Sequence, residues 1–111
     1  MSPAVRSCYL GSAALVAITL LPQAGIAADA DNGRRLAQRW CQACHVVTTR
    51  GTRASTDGAP PFASIAARPD FDAAKTTLFL LDPHAKMPNM SLTRIEAGDL
   101  AAYIGSLAKA R

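Results

Sequence analysis

Large aromatic side chains are few in this chain: three Phe, two Tyr and one Trp among 111 residues. So few rings make a thin apolar core. A nucleobase-stacking surface is excluded as well, because no block of Lys and Arg with interleaved aromatics is present. Cysteine is equally scarce, with three residues. Cys41 and Cys44 stand so close together that joining them would close almost no loop, which excludes a disulfide framework as the source of stability. No alternating pattern marks a strand, and no repeat or linker is visible. Long hydrophobic runs are missing too. The one apolar stretch, LGSAALVAITLL from Leu10 to Leu21, covers roughly 18 Å as a helix, well short of the ~20 residues that span a bilayer core. Charge of one sign does not dominate either: the net charge is +4, from twelve Lys plus Arg against eight Asp plus Glu. A solvated, mixed-charge surface is expected.

What is present begins with the segment around that run. Met1 to Arg6 is short and basic, Pro22 ends the apolar stretch, and the small residues Ala24, Gly25, Ala27 and Ala28 follow. This pattern reads as a secretory signal peptide, residues 1–28, cut after Ala28. A retained membrane anchor is the rival reading, opposed by the short run and the small-residue site. The expected mature region is a single domain, residues 29–111, which would lack Cys8 and Arg6. A domain of that size is close to the limit where an apolar core alone supplies only a few kcal/mol. Something else should hold it together.

Helical periodicity accounts for most of the remainder. A helix is expected from Asp31 to about Cys44, with Asp29, Asp31 and Asn32 as candidate caps and Leu36, Ala37 and Trp40 on its apolar face. Val46 to Pro61 has no period and reads as a long loop, of a length uncommon in compact domains unless it wraps a ligand. A short helix is expected at Phe62 to Ala67 and a longer one at Asp72 to Leu81, with Phe71, Ala74, Leu78 and Leu81 on one face and Pro83 as its stop. Asp82 to Met90 is irregular. The last helix is the most clearly marked: Thr93 and Glu96 fit a capping box, and Leu100, Tyr103, Ile104 and Leu107 repeat at helical spacing. Three or four short helices and two long loops leave a sparse core, as though a bulky group belonged in the middle.

Cys41-Gln42-Ala43-Cys44-His45 supplies a candidate for that group. It matches C-x-x-C-H, the attachment signature of c-type haem. Two thiols on one helical turn can reach the two vinyl groups of one porphyrin, and the His that follows is directed at the iron. Two other chemistries use similar letters. A thioredoxin-like dithiol sits at a strand-to-helix junction, and this chain has no strand pattern. A zinc site would have to gather Cys41, Cys44, His45 and His84, and the adjacency of Cys44 and His45 makes tetrahedral convergence awkward.

With Gly33, Cys41-x-x-Cys44-His45, Pro60-Pro61-Phe62, Met87-Pro88 and Asp99-Leu100-Ala101-Ala102-Tyr103-Ile104 in that order and at about that spacing, the mature region resembles a class I cytochrome c over nearly its whole length. The resemblance implies an all-α fold wrapped around one covalent haem c, with the first and last helices crossing near Gly33 and Tyr103. Ala37 stands where the family commonly has an aromatic, which thins that contact, and Trp40 could compensate by packing elsewhere. The resemblance also implies a proline carbonyl that accepts a hydrogen bond from the ring of the proximal ligand His45. Pro60 is the first choice and Pro61 the alternative. For the sixth iron ligand it favours Met87, which precedes Pro88, over Met90 and His84.

A neutral thioether opposite His45 would favour ferrous iron and a relatively positive potential. With both axial positions filled, outer-sphere electron transfer is the natural use, and no catalytic constellation is visible. Asp82, Glu96 and Asp99 read as surface or cap residues. The expected protein is therefore a monomeric periplasmic electron carrier, not an enzyme. It would exchange electrons with protein donors and acceptors, a membrane-bound redox complex among them, with no small-molecule substrate and no nucleic acid. Arg50, Arg53, Lys75 and Lys86 are candidates to face an acidic partner, although ordinary solubilising charge explains them equally well. The alternatives are a relay subunit of a larger periplasmic oxidoreductase and, behind it, a ligand-binding haem sensor.

Overall fold

The computed structural model describes residues 25–49, 58–82 and 86–109, and every regular element among them is helical. Helix α1, Ala30–Leu36, begins where the Asp29 carboxylate accepts from the Asn32 amide at 2.9 Å. That side chain satisfies one of the amides a helix start leaves without an internal partner. From Ala37 to Cys41 the helix widens into a π-turn, and the Gln42 amide donates to the Ala37 carbonyl at 3.1 Å.

The wider turn corrects the expected position of Trp40. An i to i+5 turn brings Cys41 beneath Ala37 on the inward face and rotates Trp40 off it. Ala37 is wholly buried and Cys41 nearly so, whereas Trp40 is 47% exposed and carries the Arg39 guanidinium 5.0 Å from its ring centre. The indole thus meets a cation at the surface.

Helix α2, Phe62–Ala66, is one turn started by Pro61, whose carbonyl receives the Ser64 and Ile65 amides. Helix α3, Ala73–Leu81, is capped by Asp72, which accepts from the Lys75 amide at 2.9 Å. Its inward stripe is not the expected one. Phe71 packs on the core from outside the helix, so phasing the helix from it places the stripe wrongly. Thr76, Thr77, Leu80 and Leu81 are half-buried, while Ala74 is exposed and Leu78 and Phe79 are 60% and 56% exposed. Pro83, the expected stop, lies outside the described residues.

Helix α4, Arg94–Ser106, carries the capping box its sequence announces: Thr93 Oγ1 accepts from the Glu96 amide, and the Glu96 carboxylate accepts from the Thr93 amide at 2.8 Å. Hydrogen bonding from the Thr93 main-chain amide, and after it from the Thr93 side chain, lowers the pKa of the Glu96 carboxyl from its ordinary value. Leu100, Tyr103, Ile104 and Leu107 form the buried stripe, joined by Ala37, Cys41, Val47, Phe62 and Ala66. Each large apolar side chain so buried contributes roughly 1.5–3 kcal/mol. Among the described residues, Leu100 is the large side chain shielded most completely.

Helix α1 crosses α4 where Gly33 meets Asp99 and Tyr103. Ideal geometry would put a Cβ on Gly33 2.5 Å from the Asp99 carbonyl carbon and 2.8 Å from Tyr103 Cβ. Only a residue without a side chain lets the two backbones come this close. Helix α3 packs on the same helix, and Phe71 lies over Gly105.

Candidate functional site

The π-turn delivers the cysteine motif to the end of the first helix. The Cys41 carbonyl accepts from both the Cys44 amide, at 3.2 Å, and the His45 amide, at 2.9 Å, which winds the five residues into one tight turn. Both thiols are free, Cys41 buried and Cys44 exposed. Burial pushes the Cys41 thiol up to about 11, so it carries its proton at neutral pH. A dithiol oxidoreductase needs an accessible sulfur of lowered pKa, and Cys41 has the opposite properties.

His45 is half-buried, and its ring is aimed from two sides. Nδ1 lies 2.8 Å from the Pro60 carbonyl oxygen, and the Phe62 ring sits 5.2 Å away, tilted by 50°. A carbonyl can only accept, so Nδ1 carries the proton and donates. The lone pair of the neutral imidazole is then on Nε2, the arrangement that suits a metal ligand. The Phe62 amide donates to the Val46 carbonyl at 2.9 Å, which ties the start of α2 to the residue after His45. Of the two prolines considered, Pro60 is the one brought to the ring.

Two free thiols on one turn, beside an imidazole whose Nε2 is available, form a donor set that fits a covalently attached haem with a nitrogen axial ligand. Among the described residues no group of three or more His, Cys, Asp and Glu side chains is placed to hold a metal ion on its own.

Met87 and Met90 are both half-buried in the segment that leads into α4. Asn89 and Ser91, which flank Met90, make a turn: Ser91 adopts φ +52°, and its amide donates to Asn89 Oδ1 at 2.9 Å. That side-chain bond offsets the strain of a left-handed serine. His84, Arg50 and Arg53 lie outside the described residues, whereas Lys75 and Lys86 are exposed.

Tyr103 joins the site to α4. Its hydroxyl donates to the Val47 carbonyl at 2.6 Å in a buried bond that holds the strand of chain following His45. Burial raises the Tyr103 pKa, with the Arg34 charge a smaller opposing influence. Tyr103→Phe removes the donor and leaves the Val47 carbonyl unpaired, an expected loss of about 1–2 kcal/mol in denaturant unfolding. A raised phenol pKa contributes stability below the ordinary value near 10 that is lost as pH climbs past it. The same variant should therefore flatten the alkaline fall in stability.

One residue read from sequence as a surface or cap carboxylate proves to be neither. Asp99 is only 4% exposed and accepts from the Asp29 amide at 2.7 Å and from Asn32 Nδ2 at 2.8 Å. It ties the start of α1 to the middle of α4. Its spacing, four before Tyr103 and next to Leu100, puts it on the buried stripe, and that was the signal available in the sequence.

Helices that cross at a glycine, and a Cys-x-x-Cys-His turn backed by a proline carbonyl, match what comparison with known proteins finds. The family model described as Cytochrome c matches residues 30–108, and the chain belongs to that family. It is a class I c-type cytochrome: a haem-bearing electron-transfer protein with one covalently attached haem c and redox partners. Among curated proteins, Cytochrome c-552 of Bradyrhizobium diazoefficiens is 53% identical over 97 residues, covering 87% of this chain and 92% of that protein. No solved structure was found to match.

Proposed function

We propose that the chain is a periplasmic electron carrier whose leader, residues 1–28, is removed on export. Cys41 and Cys44 would hold the haem, and His45 and Met87 would ligate its iron. The observation that carries the reading is the 2.8 Å bond from His45 Nδ1 to the Pro60 carbonyl beside two unpaired thiols. It fixes the tautomer a metal needs and strengthens the ligand. Bound haem would supply a one-electron couple between ferric and ferrous iron, and ligation by the Met87 sulfur together with the His45 imidazole would favour a relatively positive potential. The protein's own contribution is to hold ring and thiols still, so that little has to rearrange when charge moves.

Ligation of the iron by both His45 and Met87 would leave it no open position for a substrate, so the role we propose is that of a carrier rather than an enzyme. The donors and acceptors are redox proteins that meet it transiently. Exposed Lys75 and Lys86 would favour acidic partners and make association sensitive to salt. No helix among the described residues is long and apolar enough to cross a membrane. A freely diffusing carrier is the state we propose.

Absorption spectra of the purified protein test the ligand set. Met87→Ala should abolish the ferric charge-transfer band that arises from methionine sulfur on iron and lower the potential, while Met90→Ala should leave both in place. Loss of the band in Met90→Ala alone would reassign the ligand. A high-spin wild-type spectrum would mean an open axial position and would turn the reading toward a ligand-binding sensor.

A further inference from the structure

Asp99 is a buried carboxylate whose two oxygens are held by neutral donors, the Asp29 main-chain amide on one and the Asn32 side-chain amide on the other. A desolvated carboxylate without countercharge is costly, and neutral hydrogen bonds compensate it only in part. One of those donors, the nitrogen of Asp29, is the atom that changes charge if the chain is cut just before it. Residues 25–28 have no regular structure and are exposed, with Ile26 at 87%, so a peptidase could reach the Ala28–Asp29 bond. They run beside a shallow cavity formed with Arg94, Ile95, Gly98 and Asp99, so the carboxylate stands close to where the cut would fall.

We propose that Asp99 is the receptor for the ammonium group created when the leader is removed, so that processing adds a partly buried ion pair between the start of α1 and the middle of α4. Hydrolysis of the Ala28–Asp29 bond consumes one water and leaves a carboxylate on Ala28 and an ammonium on Asp29. The nitrogen already lies 2.7 Å from Asp99 Oδ1, so the new charge needs no movement to meet its partner. Asn32 keeps the other oxygen engaged, and the Asp29 side chain remains bound to the Asn32 amide, which fixes the direction of the ammonium. Charge-assisted bonds of this sort are shorter and about twice as strong as neutral ones. The effect belongs to the finished protein: the precursor has the same contact without the charge.

The inference rests on the leader boundary given above, and the test separates the two. Two haem-loaded forms would be prepared, one beginning at Asp29 and one retaining Ala27 and Ala28 ahead of it, each with and without Asp99→Asn. Unfolding by denaturant should favour the Asp29 form by about tenfold in equilibrium constant, and the advantage should vanish with Asp99→Asn. Equal stability of the two starts, or the same advantage in the Asp99→Asn pair, overturns the proposal. Should Asp99→Asn not fold, the rate at which an acylating reagent modifies the terminal amine gives a second reading. It should be slowed about tenfold or more in the Asp29 form relative to the extended one, as expected for an amine tied into a partly buried ion pair. Equal rates overturn the proposal. The mass of the naturally exported protein reads the boundary itself. A start at any other residue would overturn the claim that processing forms the pair, while the stability cycle would still report whether Asp99 can receive an ammonium.

Discussion

A chain carrying both Cys41→Ala and Cys44→Ala is expected to emerge without covalent haem and largely unfolded. The apolar core is too slight to hold the fold unaided. Among the described residues its cluster is two alanines, a cysteine, a valine, Phe62 of α2 and four larger side chains in or just after α4, while Trp40, Leu78, Phe79 and Ile95 spend much of their surface in water. A native domain retains only about 5–15 kcal/mol of stability after its large opposing contributions cancel. A group bound to the folded state and not to the unfolded one adds directly to that margin, and a covalent attachment cannot be diluted away. Its loss should remove stability on the order of the whole margin. Circular dichroism and hydrogen exchange on the purified double variant would show weak helicity and little protection. A cooperative transition close to that of the wild type, in a product whose mass excludes haem, would mean that the helices suffice by themselves. Cys41→Ala should be the costlier single change, because Cys41 is also part of the packed core and Cys44 is exposed.

Which features could be read from sequence follows from how local their causes are. The capping box of Thr93 and Glu96 and the stripe of Leu100, Tyr103, Ile104 and Leu107 depend on neighbours within two helical turns, and α4 forms as its letters suggest. The Cys41 to His45 motif is consecutive, so its chemistry was legible before its geometry. The π-turn is different. Its extra width puts Cys41 rather than Trp40 on the buried face, so a strict 3.6-residue period misplaces Trp40. Helix α3 was misphased because Phe71 belongs to the core but not to the helix. The tether at Asp99 joins residues 70 apart, and the Tyr103 to Val47 bond joins residues 56 apart, distances over which no periodicity carries information. The resemblance to a known family bridged part of that gap, since it brought Gly33 to Tyr103 and Pro60 to His45. It did not anticipate the Asp29 and Asn32 contacts to Asp99.

Gly33→Ala is expected to cost roughly 3–5 kcal/mol, close to the upper end of what one methyl group can do. The added carbon would overlap the Asp99 main-chain carbonyl, and Tyr103 Cβ stands 2.8 Å away on its other side. Main-chain atoms in the middle of α4 cannot swing aside as the tip of a flexible side chain would. The helices must part, and parting loosens several things at once. It stretches the bonds from Asp29 and Asn32 to Asp99, weakens the Tyr103 hydroxyl's hold on Val47, and opens the packing around Leu100. Because Val47 follows His45 by two residues, the strain should also reach the proximal ligand as a broadened or shifted reduced spectrum. Gly98→Ala is the matched control. A Cβ there meets nothing within 4 Å, and the position lies inside α4, so the change should be neutral or should stabilise by about 0.5–1 kcal/mol through helix propensity. Guanidinium unfolding of the two haem-loaded variants beside the wild type makes the comparison. If Gly33→Ala kept the wild-type midpoint, the close crossing of α1 and α4 could not be what holds the site together.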